Sequence, residues 1–180
     1  MTGSIPVRVF EHKRIWQLDR AAFEAAAALI AAAEHPHQPD LIVGIDRGGR
    51  DLATALSAHL GVPAVMIRAR HNPSDEIALP AAGSVTVDLN PLGNRAAPAR
   101  LLVADDIAGS GQTLATASRL LAERFGAARI RSAVLCRNAG SAQAPDTWVW
   151  DVADWVAFPW EPPPGVPTDF LPFPDRARHP

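Results

Sequence analysis

The sequence predicts an α/β fold with a mainly parallel, twisted sheet flanked by helices. Short runs of β-branched and apolar residues alternate with helix-like segments along the chain, which is the pattern of repeated strand–helix units. The runs at 40–45 and 101–104 are almost continuously apolar, as strands buried on both faces of a sheet are. Charged residues and glycines follow both runs. We therefore expect these groups at the carboxyl edge of the sheet, where open α/β folds bind ligands.

Length and composition favour one soluble domain over residues 1–180, long enough to bury a substantial core. A net charge of −2 argues against a general nucleic-acid binder, which is expected to be basic. The single cysteine, Cys136, permits no internal disulfide and fits a reducing cytoplasm. The apolar segment 21–33 is too short to span a bilayer, and residues 1–11 lack the apolar core of a signal peptide. We thus predict a cytoplasmic protein that binds neither nucleic acid nor membranes.

The elements of the first half follow from apolar periodicity and from residues that begin or end helices. Asp19 is a predicted N-cap, and Gly61 is expected to end a helix. His35 and His37 are interpreted as part of a solvated loop and not as metal ligands, because no cysteine or acidic residue is spaced to complete a metal site with them. The predicted elements are an extended segment at 1–14, helices at 16–33 and 51–60, and strands at 40–45 and 62–67.

The second half continues the pattern after a polar excursion. Alternating apolar and polar residues at 84–89 are typical of an edge strand. The surrounding segment, 71–99, is rich in turn residues and is either a lid over a ligand site or an ordinary surface loop. The tail at 162–180 is rich in proline and is expected to be extended or frayed. The remaining predicted elements are a helix at 115–124 and strands at 129–136 and 146–152.

Residues 101–114 carry the strongest chemical signal in the chain. Asp105 and Asp106 end an apolar run, and a loop of small and hydroxyl residues at 109–113 follows them. The backbone N–H groups and hydroxyls of such a loop can converge on one anion, and the helix N-terminus behind it adds positive partial charge. The stretch therefore predicts a ligand with a phosphate at one end and a polyhydroxyl group beside it.

A second anion site is suggested by the turn after the first buried strand. Arg47 can bind an anion with two hydrogen bonds, and Gly48 and Gly49 let the backbone approach it closely. A tight turn with a surface arginine explains these three residues equally well when they are considered alone. The phosphate-type loop at 109–113 favours the anion site.

Two further groups remain open between structural and functional interpretations. The segment 155–161 contains three aromatic residues, a proline and a carboxylate, which suit either the core or a wall for a planar ligand. Cys136 is interpreted as a buried structural thiol, because no environment that would activate it is visible.

Three known site types are excluded by the motif itself. Residues 109–114 lack the third glycine of a dinucleotide-binding loop, and the acidic pair precedes the loop instead of following it. The Gly-Lys-Ser/Thr ending of a P-loop is also missing. A receiver-type signalling domain would carry its acidic pair near its start and not beyond residue 100.

The segment 103–113 resembles the phosphoribosyl-pyrophosphate (PRPP) motif of the type I phosphoribosyltransferases. Three other segments are similar to this family in the same order. Residues 43–49 resemble its pyrophosphate loop. Residues 135–137, followed by 145–146, resemble the strand that carries a base-contacting Lys or Arg. Residues 155–161 resemble the hood segment of the xanthine–guanine and hypoxanthine enzymes. The resemblance implies a core at about 38–140 and a small hood, a cap over the site, from about 1–20 and 141–170.

The resemblance implies a Mg²⁺-dependent transferase that moves the phosphoribosyl group of PRPP to a ring nitrogen of a purine-like base. Asp105 and Asp106 would hold the ribose hydroxyls and stabilise positive charge on the ribose. A cis peptide bond is expected between Asp46 and Arg47. The pyrophosphate would lie against Asp46, Arg47, Gly48 and Gly49, and the 5′-phosphate against Ala108, Gly109, Ser110, Gly111, Gln112 and Thr113.

The base and the metal would lie between this loop and the hood. Trp155 would stack on the base, the Val156 backbone would read its edge, and Arg137 would meet an exocyclic oxygen. Mg²⁺ would bridge pyrophosphate and ribose oxygens, with Glu161 reaching it through water and Asp105 through ribose or water. The family also implies a homodimer or homotetramer.

Gly109 stands where the 6-oxopurine enzymes of the family usually carry an aspartate that faces a purine ring nitrogen, whereas other branches of the family lack it. Its absence predicts an acceptor that is not a standard 6-oxopurine, or one bound without this proton relay. The alternative is a non-catalytic regulator of the same fold that binds PRPP or a nucleotide. Arg137 replaces the more usual lysine, and the carboxylate of Asp46 must point away from a bound anion or shift its pKa.

Overall fold

The computed structural model describes residues 8–70, 85–126 and 129–180 of the chain. Parts of two predicted features, the extended segment and hood at residues 1–7 and the excursion at 71–84, therefore lie outside the described residues. Within the described ranges, no helix is both long and apolar enough to cross a membrane.

In the described residues, nine strands form two sheets, and three helices pack against the larger one. The helices are α1 (Arg20–Glu34), α2 (Gly49–Leu60) and α3 (Gln112–Phe125). The strands are β1 (Ile15–Gln17), β2 (Leu41–Asp46), β3 (Ala64–Arg70), β4 (Thr86–Asp88), β5 (Arg100–Ala108), β6 (Arg129–Asn138), β7 (Trp150–Val152), β8 (Trp155–Ala157) and β9 (Asp169–Phe170).

The main sheet has six strands in the order β4-β3-β2-β5-β6-β7. All its neighbours pair in parallel except β4, which lies antiparallel to β3 at the edge. This confirms the mainly parallel α/β fold, and it places an edge strand inside the predicted segment 84–89. A second sheet, β8-β1-β9, joins segments from the N- and C-terminal parts of the chain, and we use the name hood for it below.

Alternate residues of the central strand β5 contribute to two hydrophobic cores. Leu102 and Ala104 pack with buried residues of α1 and α2 on one face, whereas Leu101 and Val103 pack with α3 on the other. All four side chains are buried, which explains the continuous apolar run in the sequence.

The predicted boundaries are correct near residues that cap helices and wrong where a distant strand decides the structure. The Asp19 side chain accepts a hydrogen bond of 2.7 Å from Ala22 N, and Gly61 ends α2 with φ of 66°, as predicted. Trp16 was expected in the first helix but lies in β1, paired with Val156 of β8. Asp105 and Asp106 lie within β5, which continues to Ala108, instead of following the strand.

The tail is extended but not frayed, because it is held by backbone pairing. Its strand β9 pairs with β1, and Leu171 is buried. The Trp150 side chain donates from Nε1 to the Pro172 carbonyl at 2.9 Å, and Arg178 pairs with Trp148 through the backbone. Composition alone predicted an extended or frayed tail, because it carries no information about the pairing of β9 with β1.

Replacing Glu34 by Ala is expected to lower the free energy of unfolding by about 1.5–3 kcal/mol, since it removes two hydrogen bonds to the Arg131 guanidinium and leaves Arg131 only its 3.5 Å contact with Asp146. The Glu34 side chain is 1% exposed and accepts hydrogen bonds from Arg131, at 2.8 and 3.0 Å, and from Thr147. The matched control is Glu24→Ala in the same helix, where the side chain is 57% exposed and lies 4.0 Å from Arg20. Urea denaturation of both variants measures the difference, and equal losses would contradict this account of the Glu34 pair.

Candidate active site

The loops after β2 and β5 meet because these two strands are parallel neighbours. Gly44 pairs with Ala104, so both strands reach the same edge of the sheet. A Cβ added at Gly48 would lie 2.6 Å from Oδ1 of Asp106, and one added at Gly49 would lie 2.8 Å from the Asp105 Cα. Only glycines permit this approach. The two loops form one site, and the peptide bond between Asp46 and Arg47 is cis, as predicted.

The paired carboxylates lie in a poorly hydrated environment. Burial raises the pKa of Asp105 well above its ordinary value, and the charge of Asp106 adds to the rise. Burial likewise raises the pKa of Asp106 to about 6; the Glu161 carboxylate adds to this rise, while the Ile107 N–H and Arg8 oppose it. The Asp106 N–H donates to Asp105 Oδ1 at 2.9 Å, which orients one carboxylate relative to the next peptide. Both groups therefore favour a ligand that brings positive charge or hydroxyl donors.

Asp46 points away from the expected anion position. Its Oδ1 accepts a hydrogen bond of 2.9 Å from Arg50 Nε one helical turn later. This contact, with the charges of Arg50, Arg68 and Arg47, lowers the pKa of Asp46 despite partial burial. The carboxylate thus holds the start of α2, and the neighbouring Arg47 side chain is exposed at the edge of the site.

The loop between β5 and α3 is short and is supported by the segment that follows β6. β5 ends at Ala108 and α3 begins at Gln112, with Gly111 in the left-handed conformation at φ of 84°. The Ser110 carbonyl accepts a hydrogen bond from Ala142 N at 3.2 Å. No acidic residue lies in the first turn of α3, so the positive end of the helix is not neutralised there. This arrangement suits the phosphate that the sequence predicted at 109–113.

Arg137 lies at the end of β6, opposite Ala108 of β5, but its side chain is engaged within the protein. Its guanidinium forms a salt bridge of 2.7 Å with Asp151 and lies over the Trp148 ring, 4.2 Å from the ring centroid. A base could meet Arg137 only at donors that Asp151 leaves available.

The aromatic segment 155–161 divides between the hood and the core. Trp155 is half-buried in β8, whereas Val156 is buried beneath it. Trp160 stacks on Phe158 at 5.0 Å between ring centroids and belongs to the core, so it does not form a ligand wall. Glu161 folds back to accept a hydrogen bond of 2.9 Å from Phe158 N.

Sequence reasoning missed Arg8, which lies in the centre of the site. Its guanidinium lies 5.2 Å from the Trp155 ring centroid, and a Cβ added at Gly109 would lie 3.3 Å from its Cδ. The charges of Asp106 and Glu161 also act on it. The only sequence signal was a charged residue alternating with apolar ones at 7–10. Contacts with distant residues hold the neighbouring backbone, since Val9 N donates to Asn138 Oδ1 and Glu11 N donates to the Ala153 carbonyl, each at 2.8 Å.

Two sequence interpretations concern residues outside this chemistry. Cys136 is fully buried, and burial raises the pKa of its thiol, which agrees with a structural role. The 3-10 turn His35–His37 is exposed. Among the described residues, no group of three or more His, Cys, Asp or Glu side chains is arranged to hold a metal by itself.

Comparison with known proteins supports the same family throughout. The phosphoribosyl transferase domain family matches residues 14–165 of the chain. The adenine phosphoribosyltransferase of Rhodospirillum centenum is 35% identical over 105 residues, and the chain spans 60% of the length of that relative.

Two solved structures have the same fold. The purine phosphoribosyltransferase of Pyrococcus horikoshii Ot3 has a TM-score of 0.71 at 24% identity, covering 86% of this chain and 99% of that one. The xanthine-guanine-hypoxanthine phosphoribosyltransferase of Helicobacter pylori has a TM-score of 0.65 at 21% identity, covering 81% and 91%. The family match spans most of the chain and includes both loops of the site, so the chain belongs to the phosphoribosyl transferase domain family and has its type I fold.

Proposed function

We propose that the protein transfers the 5-phosphoribosyl group of PRPP to a ring nitrogen of a purine-like heterocyclic base and releases pyrophosphate. The close approach of Gly48 to the Asp106 carboxylate carries this proposal. The loop after β2, which suits one anion, therefore lies directly beside the paired carboxylates. The loop at 109–113, which follows the carboxylates in β5, suits a second anion. PRPP has this order of groups, with pyrophosphate, ribose and 5′-phosphate in sequence.

The two loops would hold the two ends of PRPP and leave the anomeric carbon between them. Arg47 and the amides of Gly48 and Gly49 would bind the pyrophosphate. The backbone from Ala108 to Thr113 would surround the 5′-phosphate at the start of α3. With both ends held, the ring nitrogen of the base can attack only from the hood side, which supplies much of the rate by orientation.

The reaction would develop positive charge on the ribose as the bond to pyrophosphate breaks. Asp105 and Asp106 would hold the 2′- and 3′-hydroxyls and face this charge. Both carboxylates are held in a poorly hydrated site, where oriented charge stabilises a transition state more effectively than water does. Their raised pKa values favour accepting hydroxyl protons in hydrogen bonds or facing a cation.

Magnesium ion fits the available donors, since Asp105 and Glu161 offer the carboxylate oxygens that Mg²⁺ prefers. When bound with PRPP it would neutralise pyrophosphate charge. Asp105 would reach it through ribose or water, and Glu161 through water. We expect turnover to disappear when EDTA removes divalent ions, and to return with added Mg²⁺ in a pyrophosphate-release assay.

The base would lie in the hood, against Trp155, with the Val156 backbone at its edge. Arg137 would contribute a donor next to its salt bridge with Asp151. We further propose a cytoplasmic homodimer or homotetramer, because the family match suggests the assembly usual for such enzymes.

Pyrophosphate release from PRPP and Mg²⁺, measured across purines, pyrimidines and related heterocycles, tests the proposal. Release with at least one base supports the transferase. Tight binding of PRPP without release with any base favours the second candidate, a regulator, for which Gly109 is the supporting observation. Failure to bind PRPP would contradict the transferase, and failure to bind nucleotides as well would contradict the regulator.

A further inference from the structure

Arg8 lies beside Gly109 and Trp155, the residues next to which the proposed function places the 5′-phosphate and the base. Its guanidinium lies over both Trp155 and Phe10, 5.2 and 4.9 Å from the ring centroids, within the range of a cation–π contact. Its aliphatic stem covers Gly109, since Cδ lies 3.3 Å from the position of an added Cβ. The space that an aspartate would occupy at 109 is therefore bordered by a guanidinium.

The Arg8 side chain carries a donor that the protein does not use. Among the described residues, 8–70, 85–126 and 129–180, Arg8 Nε is the only buried side-chain nitrogen or oxygen without a hydrogen-bond partner. Buried polar atoms are nearly always paired, and an unpaired one at a binding site indicates an acceptor atom of the ligand. A guanidinium offers hydrogen-bond donors only, so that ligand atom is an acceptor and is favoured when it is anionic.

We propose that Arg8 determines acceptor specificity, and that the acceptor is an acidic nitrogen heterocycle that enters the pocket as an anion. This inference rests on the proposed transferase function. It explains Gly109 directly, because an acceptor that has already lost its proton needs no aspartate to take it.

The proposed transfer needs no general base from the protein. The acceptor loses its proton to solvent before it binds. The lone pair of its ring nitrogen then forms the bond to the anomeric carbon, and the bond from that carbon to the pyrophosphate oxygen breaks, with its electron pair leaving on pyrophosphate. The heterocycle thereby loses its negative charge, so no proton has to be moved within the site.

The surrounding charges keep Arg8 cationic for this role. Burial lowers the pKa of Arg8, while the carboxylates of Asp106 and Glu161 act in the opposite direction. With ribose and Mg²⁺ held by those carboxylates, the guanidinium would be the positive group left facing the acceptor.

Matched acceptors that differ in acidity test the substrate class. We would measure kcat/KM for hypoxanthine, xanthine and urate, which become more acidic in that order, and for uracil against orotate, which adds a carboxylate. The proposal expects urate to exceed hypoxanthine by about 10- to 100-fold, the size of one charge-assisted hydrogen bond. Orotate carries its charge on the carboxylate and keeps its ring N–H proton, so a preference for orotate over uracil without a preference for urate would overturn the proposal of an ionised ring. The purine and pyrimidine series distinguish an ionised ring from a carboxylate substituent. Equal or greater turnover of the neutral members would overturn the proposal.

Arg8→Gln tests the residue, with Arg14→Gln as its matched control. Arg14 lies over Trp16 at 4.8 Å and pairs with Asp169, so it makes a similar contact in the hood away from Gly109. The ratio of acidic to neutral kcat/KM should fall about 10- to 100-fold in Arg8→Gln and stay unchanged in Arg14→Gln. Gly109→Asp, which would pair with Arg8, should lower the same ratio. An unchanged ratio in both Arg8→Gln and Gly109→Asp rejects Arg8 as the selector.

A binding measurement separates failure of this inference from failure of the transferase. Tryptophan fluorescence follows titration of urate or orotate in the presence of Mg²⁺ and pyrophosphate, which cannot react with them. Arg8-dependent binding without turnover of any acceptor rejects the transferase and retains the anion specificity. Turnover that favours neutral bases and is insensitive to Arg8 rejects the specificity and retains the transferase.

Discussion

Replacing Asp106 by Asn is expected to lower kcat for pyrophosphate release by about 10²- to 10³-fold, the usual cost of removing one group that stabilises transition-state charge. The variant keeps the shape of the side chain but loses its charge next to Gly48 and the proposed ribose position. Wild-type turnover in Asp106→Asn would place the ribose elsewhere. The exposed carboxylate of Asp175 provides the control variant, Asp175→Asn, for which no loss is expected.

The same substitution is expected to stabilise the fold, and the effect should depend on pH. The pKa of Asp106 is about 6 in the folded chain and about 4 when unfolded. As pH rises through this window the unfolded chain releases the proton first, so the wild-type free energy of unfolding falls. Above pH 6, Asp106→Asn should be more stable than wild type by up to about 3 kcal/mol, and near pH 4 the two should agree.

Urea denaturation of wild type and Asp106→Asn at several pH values between 4 and 7.5 measures this difference. The two carboxylates titrate as a pair, so the measured midpoint belongs to both Asp105 and Asp106. A variant that is less stable than wild type at pH 7 would show that the Asp106 charge is compensated in the folded protein.

Replacing Gly48 by Ala is expected to reduce kcat/KM for PRPP by about 10²-fold, because displacement of a catalytic group by about 1 Å has this cost. The new Cβ would lie 2.6 Å from Asp106 Oδ1, and the short carboxylate must move. Stability should change little, since burial of that carboxylate is already unfavourable. Steady-state kinetics with PRPP as the varied substrate measures the loss.

Gly49→Ala provides the contrast, because its Cβ would meet backbone instead of a side chain. The nearest atoms belong to Ala104 and to the Asp105 Cα at 2.8 Å, which cannot move without displacing β5. We expect a loss of about 1–3 kcal/mol in the free energy of unfolding, typical of overpacking. Gly165→Ala is the control for both, since an added Cβ there meets nothing within 4 Å. Equal behaviour of the three variants would contradict the close approach of the two loops.

The sequence was sufficient for features whose physical cause is local. The apolar runs of β2 and β5, the N-cap at Asp19 and the left-handed Gly61 depend on neighbours within a few residues, and the structure agrees with them. The resemblance carried by 43–49 and 103–113 predicted the family, and also the cis peptide bond after Asp46. The absence of an aspartate at Gly109 was likewise visible in the sequence, and it already pointed to an unusual acceptor.

The features that it did not predict are made by segments far apart in the chain. Trp16 pairs with a strand 140 residues later, and that pairing decides between strand and helix. The tail is held by the same hood sheet, and Trp160 is held in the core by Phe23 of α1, with 5.5 Å between the ring centroids.

The sequence by itself determined the α/β fold, the two glycine-containing loops and the paired carboxylates, because short-range periodicity and turn chemistry specify each of them. Only the tertiary structure decided what faces the missing carboxylate. Arg8 and Gly109 are separated by about a hundred residues, and no local pattern links them. Backbone hydrogen bonds of the neighbouring Val9 and Glu11, together with ring contacts, bring the guanidinium over Gly109, and our proposal for the acceptor rests on that contact.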